Sequence, residues 1–513
     1  MKEMNEQAVP DNPWKDKEFS YEDVEHYRER GYDNKDILPK PTANRMTDTK
    51  NFFTLWMGSI HNIPNYAAVG GFLLLGITAF EVMLAIVLSG IVVALFLSYN
   101  GRAGASYGIP FSMHLRSTYG NIGAKLPGFL RGVVAAIAWF GLQTYVGSAA
   151  LLILIGRIWP AFLEIGGGID ILGLSVPGLI TFLVFWVMNL AIGFGGGDTI
   201  NKFTGILTPI IYIVFGGMTI WAINVGGGLQ NIMTSSLNAN ADYGTIFGML
   251  IIISSTLSVW AAPGVSVADF TQNATSNEDQ TKGQLAGLGV GYLVFAFMAV
   301  VILIGGSIHF GAQENDVLDI INKWDSIPAI ALSTVVFLMT TISTNATGNI
   351  IPAAYQLSAL WPKKIDYKRG VLIAGILSIV ILPWRFMGDG GAIITFLNLI
   401  GALLGPVGGV MIAHYFVVKR GHINLDELYL PEGTEAAKKS KYYGLNVNAY
   451  IATIVALVLV LSGQFIPMLS IFSDISWVAG FVIAAVLYVL LVRFWPQENI
   501  TGITLQDKKI TME

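Results

Sequence analysis

Trp139 and Gln143 stand four residues apart in an otherwise apolar run, so on a helix they share one face about one turn from each other. A large flat aromatic beside an amide that both donates and accepts suits a planar ring bearing imide or ureide groups. The pair would serve equally as packing, with Gln143 bonded to a neighbouring helix. Trp260 lies in a second apolar run, followed by Ala261-Ala262-Pro263-Gly264. Two tryptophans on different helices could sandwich a flat ring. Asn62 and Asn349 add amides inside apolar runs, either for such a ring or as glue between helices. His61 could titrate and carry a proton, or bond a neighbour. Ser343 and Thr344 supply adjacent hydroxyls, and an unwound helix near Gly58 and His61 would expose backbone carbonyls. Uncharged hard oxygens of that kind suffice for a monovalent cation such as Na+. Such hydroxyls also commonly bond back to their own helix.

These residues have to be positioned by elements that do not face water. The 513-residue chain is 53% hydrophobic and 12% charged, about half the charge fraction of an ordinary soluble domain. Uncharged runs of roughly twenty residues, each long enough to cross a hydrocarbon core, recur between residues 52 and 494. There is no cysteine, which removes disulfides and thiolate chemistry. No basic stripe interleaved with aromatics suggests nucleic acid. No metal-ligand spacing or Gly-Lys-Ser/Thr phosphate loop is present, and Gly195-Gly196-Gly197-Asp198 follows an apolar span rather than a strand. An enzyme and an ATP-driven pump are therefore not expected. The polar first fifty residues lack the order of a cleavable signal.

The runs predict an all-α polytopic membrane protein with spans near 52–75, 79–98, 128–155, 175–194, 203–223, 246–269, 283–306, 328–350, 370–384, 390–416, 449–467 and 474–494. An even count puts both termini on one side. With the amino terminus inside, the inner connections carry fifteen Lys and Arg, from Arg102, Arg116, Lys125 and Arg131 to Lys441, against Arg157, Lys323 and Arg385 outside. That asymmetry predicts a multi-pass inner-membrane protein with cytoplasmic termini. Asp269, Asp389 and His414 read as membrane-edge residues rather than members of a proton relay.

Span one carries Gly58-Ser59-Ile60-His61-Asn62-Ile63-Pro64 and span six carries Trp260 to Gly264, so both break mid-membrane. Freed backbone groups there cost several kcal/mol unless they line protein or a wet cavity, and two breaks imply a site. The breaks lie about 200 residues apart, as do the clusters Trp139–Gln143 and Ser343–Asn349. Five helices separate each pair, which fits two inverted five-helix halves of the LeuT type, about 51–225 and 246–416. The organisation expected is a tail at 1–50, a ten-helix core at 51–416, a loop at 417–448, two peripheral helices at 449–494 and a second tail at 495–513.

On the segments Trp56–Pro64, Trp139–Gln143, Trp260, Ser343–Tyr355, Phe396-Leu397-Asn398 and Gly405-Pro406, the chain resembles the first nucleobase:cation symporter family, in particular its bacterial allantoin and hydantoin permeases. The resemblance implies substrate contacts from Asn62, Trp139, Gln143, Val259, Trp260 and Asn349, and a gate at Leu397. It implies Na+ ligands from the carbonyls of Gly58, His61 and Thr340 and the hydroxyls of Ser343 and Thr344. Asn62 stands where the hydantoin permease has glutamine, and Val259 where it has glycine. The implied function is import of allantoin, hydantoin, uracil, cytosine or a purine by Na+ or H+ symport, by a monomer in the lipid bilayer without a tightly bound cofactor. A uniporter of the same solutes and an amino-acid transporter of the same architecture are the alternatives.

Overall fold

The computed structural model describes residues 16–31, 37–238, 243–311, 316–361, 364–386, 392–431 and 433–497, without the side chains of 196–206, 386 and 392. Asp389 and most of the two tails therefore lie outside the described residues. Span one is split into Thr49–Ile60 and Ile63–Phe72. Span two is Ala79–Asn100, entered through a capping box between Thr78 and Glu81. Span three runs from Lys125 to Ile158 with a π-helical turn at Leu130–Ala135. Spans four and five, Val176–Gly195 and Leu207–Val225, lie in one helical run, Val176–Val225. The loop expected near 195–202 thus falls inside that run. Span six is Thr245–Val259 followed by the short helix Ala261–Val265. Span seven is Asn277–Phe310, and span eight is Ile327–Asn345, a π-helical turn at Ala346–Ile350 and Ile351–Leu360. Span nine is Tyr367–Val380, span ten Ala392–Ile412 and span twelve Ser476–Phe494.

Among the described residues, eight helices are long and apolar enough to cross a membrane unaided. Span eleven, Val447–Ser462, joins Pro467–Asp474 through a bend of 119°, so it ends five residues before the expected 467. A helix cannot continue through Pro467 without losing a hydrogen bond. The remaining three segments are the broken spans one and six and the 14-residue span nine. A break shortens each piece below the length a bilayer requires, which is why hydropathy finds the span and helix length does not. The architecture is that of an all-α polytopic membrane protein.

Close packing depends on glycine where helices cross. Gly401, Gly405 and Gly409 form a stripe at four-residue intervals on span ten, facing the start of span twelve. A Cβ at Gly405 would come within 2.7 Å of the Trp477 carbonyl oxygen, and one at Gly409 within 2.2 Å of that of Phe481. Without a hydrophobic force between helices in lipid, such backbone approach supplies the packing energy.

The amino-terminal segment is not a free tail. Tyr27 and Leu38 are buried with Tyr107, Tyr415, Leu425, Leu428, Tyr429 and Tyr442 in a satellite core. Asp16 accepts from the Asn277 amide at 2.8 Å, and Arg45 donates to the Ala105 carbonyl at 2.8 Å. The tail, the 417–448 loop and the ends of spans two and seven thus form one cap. Asn448 Nδ2 also reaches the Trp495 carbonyl, 2.8 Å, which sets the end of span twelve at the same end of the bundle.

Gly409→Ala should lower the unfolding temperature in detergent by several degrees, corresponding to about 1–3 kcal/mol of overpacking. Gly289→Ala, whose Cβ meets nothing within 4 Å, should leave it unchanged in the same thermal scan.

Candidate solute and cation site

The span-one break is built by two asparagines around one carbonyl. Pro64 has no N–H to return to Ile60. The Ile60 oxygen instead accepts the Asn62 amide at 3.1 Å and Asn65 Nδ2 at 2.6 Å. Asn62 takes an extended conformation and caps the second half-helix, its Oδ1 accepting the Asn65 amide at 3.1 Å, while its Nδ2 donates to Ser59 at 2.9 Å. These exchanges have a second effect. A continuous helix would pair the Asn62 amide with Gly58 and the Asn65 amide with His61, but both amides are engaged elsewhere. The carbonyls of Gly58 and His61 are thereby released.

Span eight lies against this break. Thr344 Oγ1 donates to the Ser59 carbonyl at 3.3 Å, and the Ile63 amide approaches Thr341 Oγ1 at 3.5 Å. Ser343 precedes Thr344 in the same buried turn, and Thr340 is fully buried one turn earlier. Of the residues expected to bind a cation, Thr344 meets the span-one break with its side chain. The His61 ring points into an aromatic box, stacked on Phe215 at 5.2 Å and edge-on to Tyr212 and Phe295, with Nδ1 3.2 Å from the Tyr66 hydroxyl.

Span six breaks for the same reason. Pro263 cannot donate to Val259, so that carbonyl is released, and the Gly264 amide bonds Trp260 at 2.7 Å. Trp260 is held edge-on by Trp56 at 5.3 Å, and its Nε1 donates to the Tyr292 hydroxyl. Trp139 is held edge-on by Phe396 at 4.9 Å.

One cavity lies between these elements. It is lined by Ser59, Asn62, Asn65, Trp139, Gln143, Val259, Trp260, Pro263, Thr344, Gly348 and Asn349, which include all six residues expected to contact a solute. Trp139, Trp260, Gln143 and Asn349 are each at most 5% exposed, so this part of the wall is withdrawn from solvent. Trp139 Nε1 and Gln143 Oε1 are buried without a partner, a costly state of about 1–3 kcal/mol each that a bound ring would relieve. Asn62 reaches the wall with its amide already spent on the break. Leu397 is fully buried but lies outside the lining, and its neighbour Phe396 is the residue of span ten that meets Trp139.

The permease description "for cytosine/purines, uracil, thiamine, allantoin" matches residues 39–480. The chain belongs to this family. It is 54% identical over 469 residues to a putative allantoin permease of Escherichia coli K12, covering 91% of this chain and 95% of that one. Identity to the allantoin permease of Bacillus subtilis 168 is 35%, covering 93% and 96%. The fold superposes on Mhp1, a nucleobase-cation-symport-1 family transporter, closed with bromovinylhydantoin bound, at a TM-score of 0.73 and 22% identity over 93% of this chain and 98% of that one. It also matches a Na+-coupled sialic acid symporter at 0.61 and 12% identity, covering 92% and 94%. The permease is thus a LeuT-fold membrane transporter of the nucleobase type, not an enzyme.

Two residues of this permease's site escape a reading of the sequence. Asn65 lies within the motif but three residues beyond the obvious break, and its amide closes the Ile60 carbonyl. Arg131, counted with the inner connections, is 1% exposed. Its Nε donates to Ser266 Oγ at 3.0 Å and a terminal nitrogen to the Gly348 carbonyl at 2.9 Å. It ties spans three, six and eight beside the cavity. The signal was its position three residues inside the expected start of span three, where a guanidinium rarely stands without a partner. His414, near the end of span ten, is likewise buried, with Nδ1 2.7 Å from the Tyr488 hydroxyl. Asp269 accepts the Phe111 amide at 2.9 Å, which joins span six to the helix Phe111–Tyr119.

Asn65→Ala should destabilise the ligand-free permease by about 1–3 kcal/mol, because it strips a buried donor from the break. The check is thermal unfolding in detergent, in which Asn51→Ala, on the exposed first turn of span one, should move the midpoint far less.

Proposed function

We propose that this permease imports allantoin or a closely related ureide or imide ring, such as a hydantoin, by symport with Na+. The observation that carries the reading is the cavity lined by Trp139, Trp260, Gln143 and Asn349 together with Ser59 and Asn62 of the span-one break. A flat ring gains stacking on the tryptophans. The polar atoms left open are of both kinds: Gln143 Oε1 and the freed Val259 carbonyl accept, and Trp139 Nε1 donates. A ureide or imide ring, whose edge alternates N–H and C=O groups, answers both kinds. The allantoin permeases at 54% and 35% identity support the same choice.

Na+ is favoured over H+ because the candidate ion ligands are neutral oxygens: the carbonyls of Gly58, His61 and Thr340 and the hydroxyls of Ser343 and Thr344. The one titratable side chain at the break, His61, is turned into its aromatic box. Ion binding would order the broken helix whose Asn62 and Ser59 line the cavity, so each ligand raises the affinity of the other by the same factor. The inverted halves 51–225 and 246–416 would rock about this site, with Phe396 and Leu397 on span ten closing it. Removing Arg131 from the loop count leaves fourteen basic residues against three, which supports cytoplasmic termini in the inner membrane and operation as an importer.

Allantoin and hydantoin should raise the unfolding temperature of the purified permease, and raise it further with Na+, as mass action requires. Trp139→Ala and Gln143→Ala should erase the solute shift. Thr344→Ala should keep a solute shift at high Na+ while raising the Na+ concentration for half effect by tenfold or more. A solute shift that follows pH and ignores Na+ would assign the coupling to H+.

A further inference from the structure

Asn349 is the last of three asparagines whose side-chain amides are joined head to tail through the membrane domain. Asn189, on span four, donates from Nδ2 to the carbonyl of Phe185 at 2.8 Å. Its Oδ1 accepts Nδ2 of Asn345, on span eight, at 2.9 Å. Asn345 Oδ1 in turn accepts Nδ2 of Asn349 at 2.9 Å. Asn345 Nδ2 also lies 3.4 Å from the carbonyl of Phe140, on span three. Asn189 and Asn345 are fully buried and Asn349 is 3% exposed.

The polarity of this chain is dictated, because a peptide carbonyl can only accept. The Phe185 oxygen requires the NH2 group of Asn189, which turns the Asn189 oxygen toward Asn345. The Phe140 oxygen requires the NH2 group of Asn345 independently, and both demands agree. Asn345 therefore presents its oxygen to Asn349, and the NH2 group of Asn349 is drawn away to meet it. With its NH2 end held by Asn345, Asn349 has its carbonyl oxygen as the end left free for the cavity it lines. An asparagine without this support turns over about its last bond and offers either end.

We propose that Asn189 and Asn345 are positioning residues that lock Asn349 as a hydrogen-bond acceptor, and so bias the cavity toward ring edges carrying N–H and against edges carrying a nitrogen lone pair. Asn189 does so from a helix that contributes nothing to the lining. The proposal rests on the reading of the cavity as the ring-solute site. It adds that selectivity is set one and two residues behind the wall.

The test is isothermal titration of the purified full-length permease, at fixed Na+, with hydantoin and with cytosine, whose ring carries an unprotonated nitrogen. The wild-type protein should bind hydantoin at least tenfold more tightly. Asn189→Ala and the bulkier Asn189→Leu, two independent routes to the same loss should one fail to fold, should shrink that ratio at least threefold. Asn189→Asp, which retains an oxygen for Asn345, should keep it. Structural damage alone would weaken both solutes alike and leave the ratio intact. Binding of hydantoin with an unchanged ratio in the folded Ala or Leu variant would overturn the lock, as would equal binding of the two solutes by the wild type. Binding of neither solute by the wild type would fell the ring-solute reading on which the lock depends.

Discussion

Inside a bilayer no water is available to a backbone carbonyl, so each helix break must be closed by side chains or opened on purpose toward a site. The Ile60 carbonyl is where this constraint is met most tightly, with Pro64 withholding one donor and Asn62 and Asn65 supplying others. Closing Ile60 diverts the amides that Gly58 and His61 would have received. A single local solution therefore creates both a stable kink and two open oxygens.

The remainder of the membrane domain keeps this kink in place. Tyr212 bonds the Met57 carbonyl at 3.1 Å from span five, Phe215 and Phe295 enclose His61, and Thr344 reaches Ser59 from span eight. Arg131 secures the other broken span by bonding Ser266, just past the Trp260 break, and Gly348 in the π-helical turn of span eight. A π turn displaces carbonyls from their usual donors, and a buried guanidinium with several donors suits such an acceptor. The two breaks are thus connected through span eight. That connection gives a physical basis for a cation at one break to influence a ring at the other.

Much of the site was legible because membrane burial makes polar residues conspicuous. Trp139, Gln143, Asn62, Trp260 and Asn349 stood out as polar or aromatic interruptions of apolar runs, and all five line one cavity. The roles of the amides were not legible. Asn62 is occupied within the break, and the orientation of Asn349 depends on Asn189, 160 residues away in the chain and four spans earlier. Leu397 and Phe396 are adjacent and both apolar, so only the packing of span ten on span three decides which of them touches Trp139.

The sequence by itself determined that this chain crosses a membrane many times, that two of its helices break, and which residue types interrupt the apolar runs. Hydropathy and proline are local properties, and a bilayer leaves few structures able to satisfy them. Tertiary structure alone decided which carbonyls were left open, which amide ends faced the cavity, and that Arg131 and the amino-terminal segment belonged inside the packed structure rather than outside it. Hydrogen-bond direction and side-chain partnership are set by atoms that meet across helices far apart in the chain, and no window of sequence contains both partners.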